Sequence, residues 1–250
     1  MKLLVIGNSQ AGAIKRAYDS RQPEFNTGGI EWFFYVVPGG FGPDFTIADG
    51  KLILGARSEK SPPFIKPKGT EKIPLDEFDA VFVSALGNTV GSYTYNNYFV
   101  QAGVLAECEP RGRALSLPPV SDHCYSSMIQ ALLERQSGIK TLRRISAAFD
   151  GPIYVQRFPL LSDAVRENPA WRLRQWYTKP IKAYNFLATE CAMALATIAK
   201  ETGAILLDYP DIDHPNGMSP QELMRDDCIH QSDVYAGMIL DQLVVKMLDR

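Results

Sequence analysis

Lys2–Gly12 reads KLLVIGNSQAG, and this stretch decides the fold. Leu3 to Ile6 is an apolar run of strand length, and Gly7 stops it. Asn8 and Ser9 follow, and the small residues Ala11, Gly12 and Ala13, with Ile14, open a helix. A serine at a sharp strand-to-helix turn projects its hydroxyl from the end of a sheet. Its backbone N–H then lies at the positive end of a helix dipole. Both features suit a nucleophile whose attack generates an oxyanion. The plainer reading of this stretch alone is that Ser9 caps the helix, or that the turn binds phosphate.

Working outward, the same strand-then-helix pattern recurs. Ile30–Val37 (IEWFFYVV) is rich in aromatic and β-branched residues and predicts a second strand, ending in the loop Pro38-Gly39-Gly40-Phe41-Gly42. In that loop backbone amides can point at a ligand, although glycines also simply punctuate turns. Phe78–Gly87 is a third core strand that runs into Asn88-Thr89-Val90-Gly91. Ser121 caps a helix for which Gly138 marks the end. Pro152–Leu160 is the fourth strand. Pro180 opens a long helix with Ile181, Tyr184, Leu187, Cys191, Leu195 and Ile198 on one face, and Gly203 stops it. Ala204–Asp211 is the fifth strand. From Ser232 to Arg250, Ala236, Ile239, Leu240, Leu243, Val244, Met247 and Leu248 outline an amphipathic last helix.

Five strands alternating with helices, without a composition break or an internal repeat, predict one α/β domain over residues 1–250. It has three layers, with helices on both faces of a five-stranded parallel sheet. Asp49-Gly50 between two apolar runs signals an inserted β-hairpin, so residues 44–75 read as a hairpin followed by an irregular Pro- and Lys-rich loop. Ligands bind such folds at the carboxyl ends of the strands. Gly7–Ser9, Pro38–Gly42 and Gly87–Gly91 therefore converge on one rim.

A chain of 250 residues with a formal charge of −2 has no polyelectrolyte character, so nucleic acid is not an expected partner. The first residues turn polar too early for a signal peptide, and no run of 18 apolar residues exists, so no membrane span is expected and the chain reads as cytoplasmic. Cys108, Cys124, Cys191 and Cys228 lack zinc spacing and read as reduced, mostly buried thiols. Asp211-Ile212-Asp213-His214 has metal-ligand residue types but lies in a turn with no partner ligands elsewhere; no metal and no cofactor are expected.

A nucleophilic serine needs a base, and the base needs a group that orients it. Of the three histidines, His123 follows Ser121 and Asp122 on one helical turn, where neighbours point in different directions. His214 lies in the turn. His230 stands three residues after Asp227, just ahead of the last helix. In a tight loop that spacing lets the carboxylate reach imidazole Nδ1 and leaves Nε2 facing outward. The plainer alternative is a pair of solvated loop residues.

Gly-Asn-Ser-Gln at the start, Gly39-Gly40 after the second strand, Gly87-Asn88 after the third and Asp-x-x-His before the last helix resemble, in this order, the SGNH (GDSL-like) hydrolase superfamily. These are esterases and lipases of flavodoxin-like topology. The resemblance rests on about four short blocks. It implies Ser9 as nucleophile, His230 as base and Asp227 as its orienting carboxylate. It further implies an oxyanion hole from the N–H of Ser9, the N–H of Gly40 and the side-chain amide of Asn88. Gly39 is the alternative to Gly40, and Asn96 and Asn97 are alternatives to Asn88. The sequence departs from the pattern in having Asn8 for the usual aspartate and Gln10 for leucine. The implied reaction is serine hydrolysis of an O-acyl ester, O-acetyl included, of a carbohydrate or other small molecule. Tyrosines and asparagines, with Trp171 and Trp176, suit sugar rings. Two other readings stay open. The opening also resembles the Gly-Asn-Cys-Gln start of polysaccharide-biosynthesis proteins that handle acyl-CoA, which implies an acyltransferase. GNSQAG could equally cradle an anion in a non-catalytic binding module.

Overall fold

The opening apolar run forms β1 (Lys2–Gly7), and the chain turns directly into α1 (Ser9–Ser20) and the single turn α2 (Gln22–Phe25). The computed structural model describes residues 1–26, 28–37, 45–54, 72–88, 100–101, 119–166, 181–214 and 217–249. The elements that follow are β2 (Glu31–Val36), β3 (Phe45–Ala48), β4 (Lys51–Leu54), β5 (Lys72–Pro74), β6 (Ala80–Leu86), β7 (Val100–Gln101) and β8 (Pro119–Val120). Then come α3 (Asp122–Arg135), α4 (Ser137–Ser146), β9 (Ile153–Arg157), α5 (Ile181–Thr202), β10 (Ile205–Leu207) and α6 (Asp233–Leu248).

The main sheet has the order β10-β9-β6-β1-β2, and every pairing in it is parallel. Counted along the chain, this is 2-1-3-4-5, the flavodoxin-like order, with its switch point between β1 and β6. The topology that the sequence blocks imply is therefore the one observed. Side chains alternate across the sheet as strand geometry requires. Leu3, Val5, Phe34, Val36, Ala80, Phe82, Tyr154 and Leu207 face a core shared with α1 and α6. Leu4, Ile6, Tyr35, Val81, Val83, Ile153 and Val155 face a second core, filled from α3, α4 and α5. Burial on both faces explains why these strands read as unbroken apolar runs. Each fully buried Leu, Ile or Val contributes roughly 1.5–3 kcal/mol.

Gly7 is set by a close approach. A Cβ there would lie 2.8 Å from the Ala11 Cβ and 3.1 Å from the Ser84 Cβ, so only glycine lets α1 pack against the sheet at that height.

The hairpin is present and is larger than expected. Asp49 and Gly50 both adopt positive φ (51° and 69°), the type I′ geometry that suits a two-residue link between β3 and β4. β5 adds a third antiparallel strand to it. Lys72–Pro74 is thus part of a sheet rather than irregular chain; three residues are too short for periodicity to reveal. Gly138 does not end a helix as expected. α3 stops at Arg135, and Gly138 lies inside α4, whose Ile139, Leu142 and Ile145 are buried. A Cβ at Gly138 would lie 2.6 Å from Leu86 Cδ2, so it marks a helix-to-sheet contact instead. β7 and β8 form a two-stranded parallel pair with no counterpart in the sequence reading. Cys191 and Cys228 are buried as expected, while Cys124 is exposed on α3. Among the described residues no helix is long and apolar enough to cross a membrane.

Candidate active site

Ser9 is the first residue of α1 but does not cap it. The cap is Asn8, whose side-chain Oδ1 accepts from the Gln10 N–H at 3.0 Å. Asn8 thereby fills the role that the plainer reading gave to Ser9, and the Ser9 hydroxyl is free for another partner. That partner is His230: Ser9 Oγ lies 2.8 Å from His230 Nε2, across 221 positions of sequence. His230 Nδ1 in turn lies 2.5 Å from Asp227 Oδ2.

The Asp227–His230 turn is tightly built. Asp227 Oδ1 accepts from the backbone N–H groups of Ile229 (3.0 Å) and His230 (2.9 Å). Cys228, between them, holds a positive φ of 60°, an uncommon conformation for a residue with a side chain. Burial pushes the Asp227 carboxyl up. The hydrogen bonds from the His230 ring and from the two N–H groups outweigh this and hold it at about 2. An ionised Asp227 at neutral pH accepts from Nδ1–H, so Nε2 is the ring nitrogen that accepts from the Ser9 hydroxyl.

α1 and α6 hold the two halves together. They pack on the same face of the sheet, and Arg16 pairs with Asp233 (2.9 Å) and Arg21 with Asp241 (3.0 Å) across their outer surface. Ser232 caps α6 by accepting from the Tyr235 N–H, which fixes the chain direction just after His230. Ser9, Arg225, Asp226, Asp227 and His230 line an open pocket of about 350 Å³.

Asn88 stands at the same carboxyl edge, directly after β6. Its N–H donates to Gln136 Oε1 (3.2 Å) and its carbonyl accepts from Gln136 Nε2 (3.3 Å), so its backbone is clamped to the end of α3. Just before it, Ala85 has a positive φ of 59°, where the pairing of β6 with β9 shifts register. Gly39 and Gly40, Asn96 and Asn97, and Trp171 and Trp176 lie outside the described residues.

Ser121 caps α3 by accepting from the Cys124 N–H, and the adjacent His123 is exposed there. His214 packs edge-on to the Tyr209 ring, 5.8 Å between centroids. Among the described residues no group of three His, Cys, Asp or Glu is placed to hold a metal ion. Sequence reading passed over the pocket walls Arg225 and Asp226, although both adjoin Asp227. It also passed over Gln10, Gln156 and Gln231, all buried behind the triad-like group. A polar residue on the inward side of a helix start was the available signal for Gln10.

No protein-family profile matches the chain, and neither does any curated protein. Among solved structures, the chain is similar to a candidate SGNH hydrolase from Slackia heliotrinireducens. The two are 15% identical over 99% of this chain and 98% of that one, with a TM-score of 0.49. It is also similar to an active-site mutant of a family two carbohydrate esterase from Clostridium thermocellum. That pair is 9% identical over 100% of this chain and 63% of the other, with a TM-score of 0.42.

Proposed function

We propose that the protein is a serine hydrolase that cleaves an O-acyl ester through Ser9, His230 and Asp227. The observation that carries this reading is the continuous relay from Ser9 Oγ to His230 Nε2 (2.8 Å) and from His230 Nδ1 to Asp227 (2.5 Å). Nucleophile, base and orienter stand in hydrogen-bonding order, the arrangement that nucleophilic acyl transfer needs.

Ser9 Oγ attacks the ester carbonyl while His230 Nε2 takes its proton. The negative charge on the former carbonyl oxygen meets the Ser9 N–H at the start of α1. The family resemblance implies further donors, an N–H from Gly40 or Gly39 and a side-chain amide from Asn88, Asn96 or Asn97; each such donor is typically worth ~3 kcal/mol in the transition state. Collapse of the intermediate breaks the bond to the alcohol, which leaves with the proton from His230. Water then attacks the acyl-enzyme, giving its proton to His230, and the acid departs as Ser9 recovers its own. Throughout, Asp227 keeps the ring in one tautomer and stabilises the imidazolium.

Arg225 and Asp226 in the pocket wall suit a hydroxyl-rich alcohol moiety, such as a carbohydrate, better than an apolar one. Transfer to an acceptor hydroxyl in place of water uses the same groups. The test is a fluorophosphonate probe: native protein is expected to label and Ser9→Ala is not. Turnover of p-nitrophenyl acetate with and without a sugar acceptor then separates hydrolysis from transfer. Absence of labelling in the native protein would leave a binding module.

A further inference from the structure

Ser9 and His230 come from opposite ends of the chain, and no strand pairing joins the segments that carry them. Their 2.8 Å contact needs something to hold the His230 loop in place. We infer that Gln10, backed by Gln231, Gln156 and Ser84, is a positioning residue that sets the imidazole against the nucleophile. The inference rests on the serine-hydrolase reading above.

The Gln10 side chain grips the backbone on both sides of His230. Its Nε2 donates to the Ile229 carbonyl at 3.1 Å, and its Oε1 accepts from the Gln231 N–H at 3.0 Å. The residue next to the nucleophile thus pins the residues before and after the base. Gln231 returns the grip, donating from Nε2 to the Gln10 carbonyl at 2.9 Å. The chain of bonds continues into the sheet: Gln156 Nε2 donates to Gln231 Oε1, and Ser84 Oγ donates to Gln156 Oε1, each at 2.7 Å. Gln156 is on β9 and Ser84 on β6, so the His230 loop is tied to two strands of the rigid sheet as well as to α1.

Gln10, Gln156, Gln231 and Ser84 are between 0% and 3% exposed, so water does not compete for these bonds. The donor and acceptor pattern also fixes each amide: a flip of any one glutamine would set donor against donor or acceptor against acceptor along the chain. An apolar side chain at position 10 would fill the same space and hold nothing. Gln10 therefore has a geometric task that an apolar residue of its size could not perform.

The experiment compares native protein with Gln10→Met, Gln231→Met and Ser84→Ala, using p-nitrophenyl acetate. Turnover is expressed per site titrated by a fluorophosphonate, so unfolded protein does not count. Gln10→Met and Gln231→Met are expected to lose about 10- to 100-fold in kcat per titrated site, with KM within about twofold, the pattern of misplaced catalytic groups. Ser84→Ala, which removes only the far end of the chain of bonds, is expected to lose less than either. Gln10→Glu provides the rescue: while neutral, its buried carboxyl offers one donor and one acceptor as the amide does. Its kcat should approach native at low pH and fall as the carboxyl ionises, adding an alkaline limb that native protein lacks. Native kcat per titrated site in Gln10→Met, or a loss confined to KM, would overturn the positioning role alone. A native protein that neither labels nor turns over would overturn the serine reading and this inference with it.

Discussion

The two faces of the parallel sheet are both buried, yet they differ in what crosses them. Beneath α3, α4 and α5 the contacts are mainly apolar, with Leu187, Leu195, Ile198, Ile129, Leu133 and Leu142 packed on Leu4, Val83 and Val155. Beneath α1 and α6 the apolar core is smaller, and a line of buried glutamines runs from the sheet to the site. The second face joins the two ends of the chain. Its helices begin at the carboxyl edge of the sheet, Ser9 on the first turn of α1 and His230 just before α6. One face stores stability, and the other uses part of its interior to hold polar groups in register.

The sharpest way to break this comparison is at the site itself. Ser9→Ala is expected to lower kcat by at least ~10³-fold and abolish fluorophosphonate labelling, with thermal unfolding essentially unchanged. His230→Ala should match it. If Ser9→Ala retains native turnover, the α1/α6 face carries no chemistry.

The opposite face gives the converse. Leu187, on the inward face of α5, is fully buried, and Leu187→Ala is expected to cost about 2–5 kcal/mol by urea unfolding. Its kcat per titrated site should stay native. A selective loss of turnover in that variant would show that the two faces are not separable.

Next in size comes a pH effect. The Asp227 carboxyl is held at about 2, below its ordinary 3.8. A lowered carboxylate contributes stability that is fully present above the ordinary value and is lost as pH falls from about 4 toward 2. Asp227→Asn should therefore flatten unfolding free energy against pH in that window, and reduce kcat by a factor on the order of 10²–10⁴ at neutral pH. Identical acid limbs of stability in the two proteins would refute the hydrogen-bond account of Asp227.

The smallest effect is expected on the outer surface of α1 and α6. Asp241→Asn removes an exposed ion pair to Arg21 and is expected to cost less than ~1 kcal/mol, less still at high salt. A larger loss that high salt removes would mean that the two helices are held by their charges more than by Ile14, Tyr235 and Ile239 between them.

Much of this was legible before any coordinates. The five apolar runs and the helices between them marked the doubly wound sheet, because strands buried on both faces cannot alternate polar and apolar residues. The Asp-x-x-His spacing suggested the carboxylate-to-Nδ1 contact, since three residues in a tight turn place the side chains side by side. Local rules failed where contacts are distant. Gly138 looked like a helix stop and is a point of contact with Leu86; β5 is too short to show a period; the Asn8 cap and the Ser9 hydroxyl could not be told apart from adjacent letters.

What the sequence alone determined is the set of parts: a serine at a strand end, a histidine with its carboxylate ahead of the last helix, and the alternation that makes the sheet. Only the tertiary structure decided that these parts meet. Residues 221 positions apart come within 2.8 Å because α1 and α6 pack on one face, and because four buried polar side chains tie the His230 loop to the sheet. Periodicity is a property of neighbours along the chain; the partner of a buried amide is chosen by packing across it.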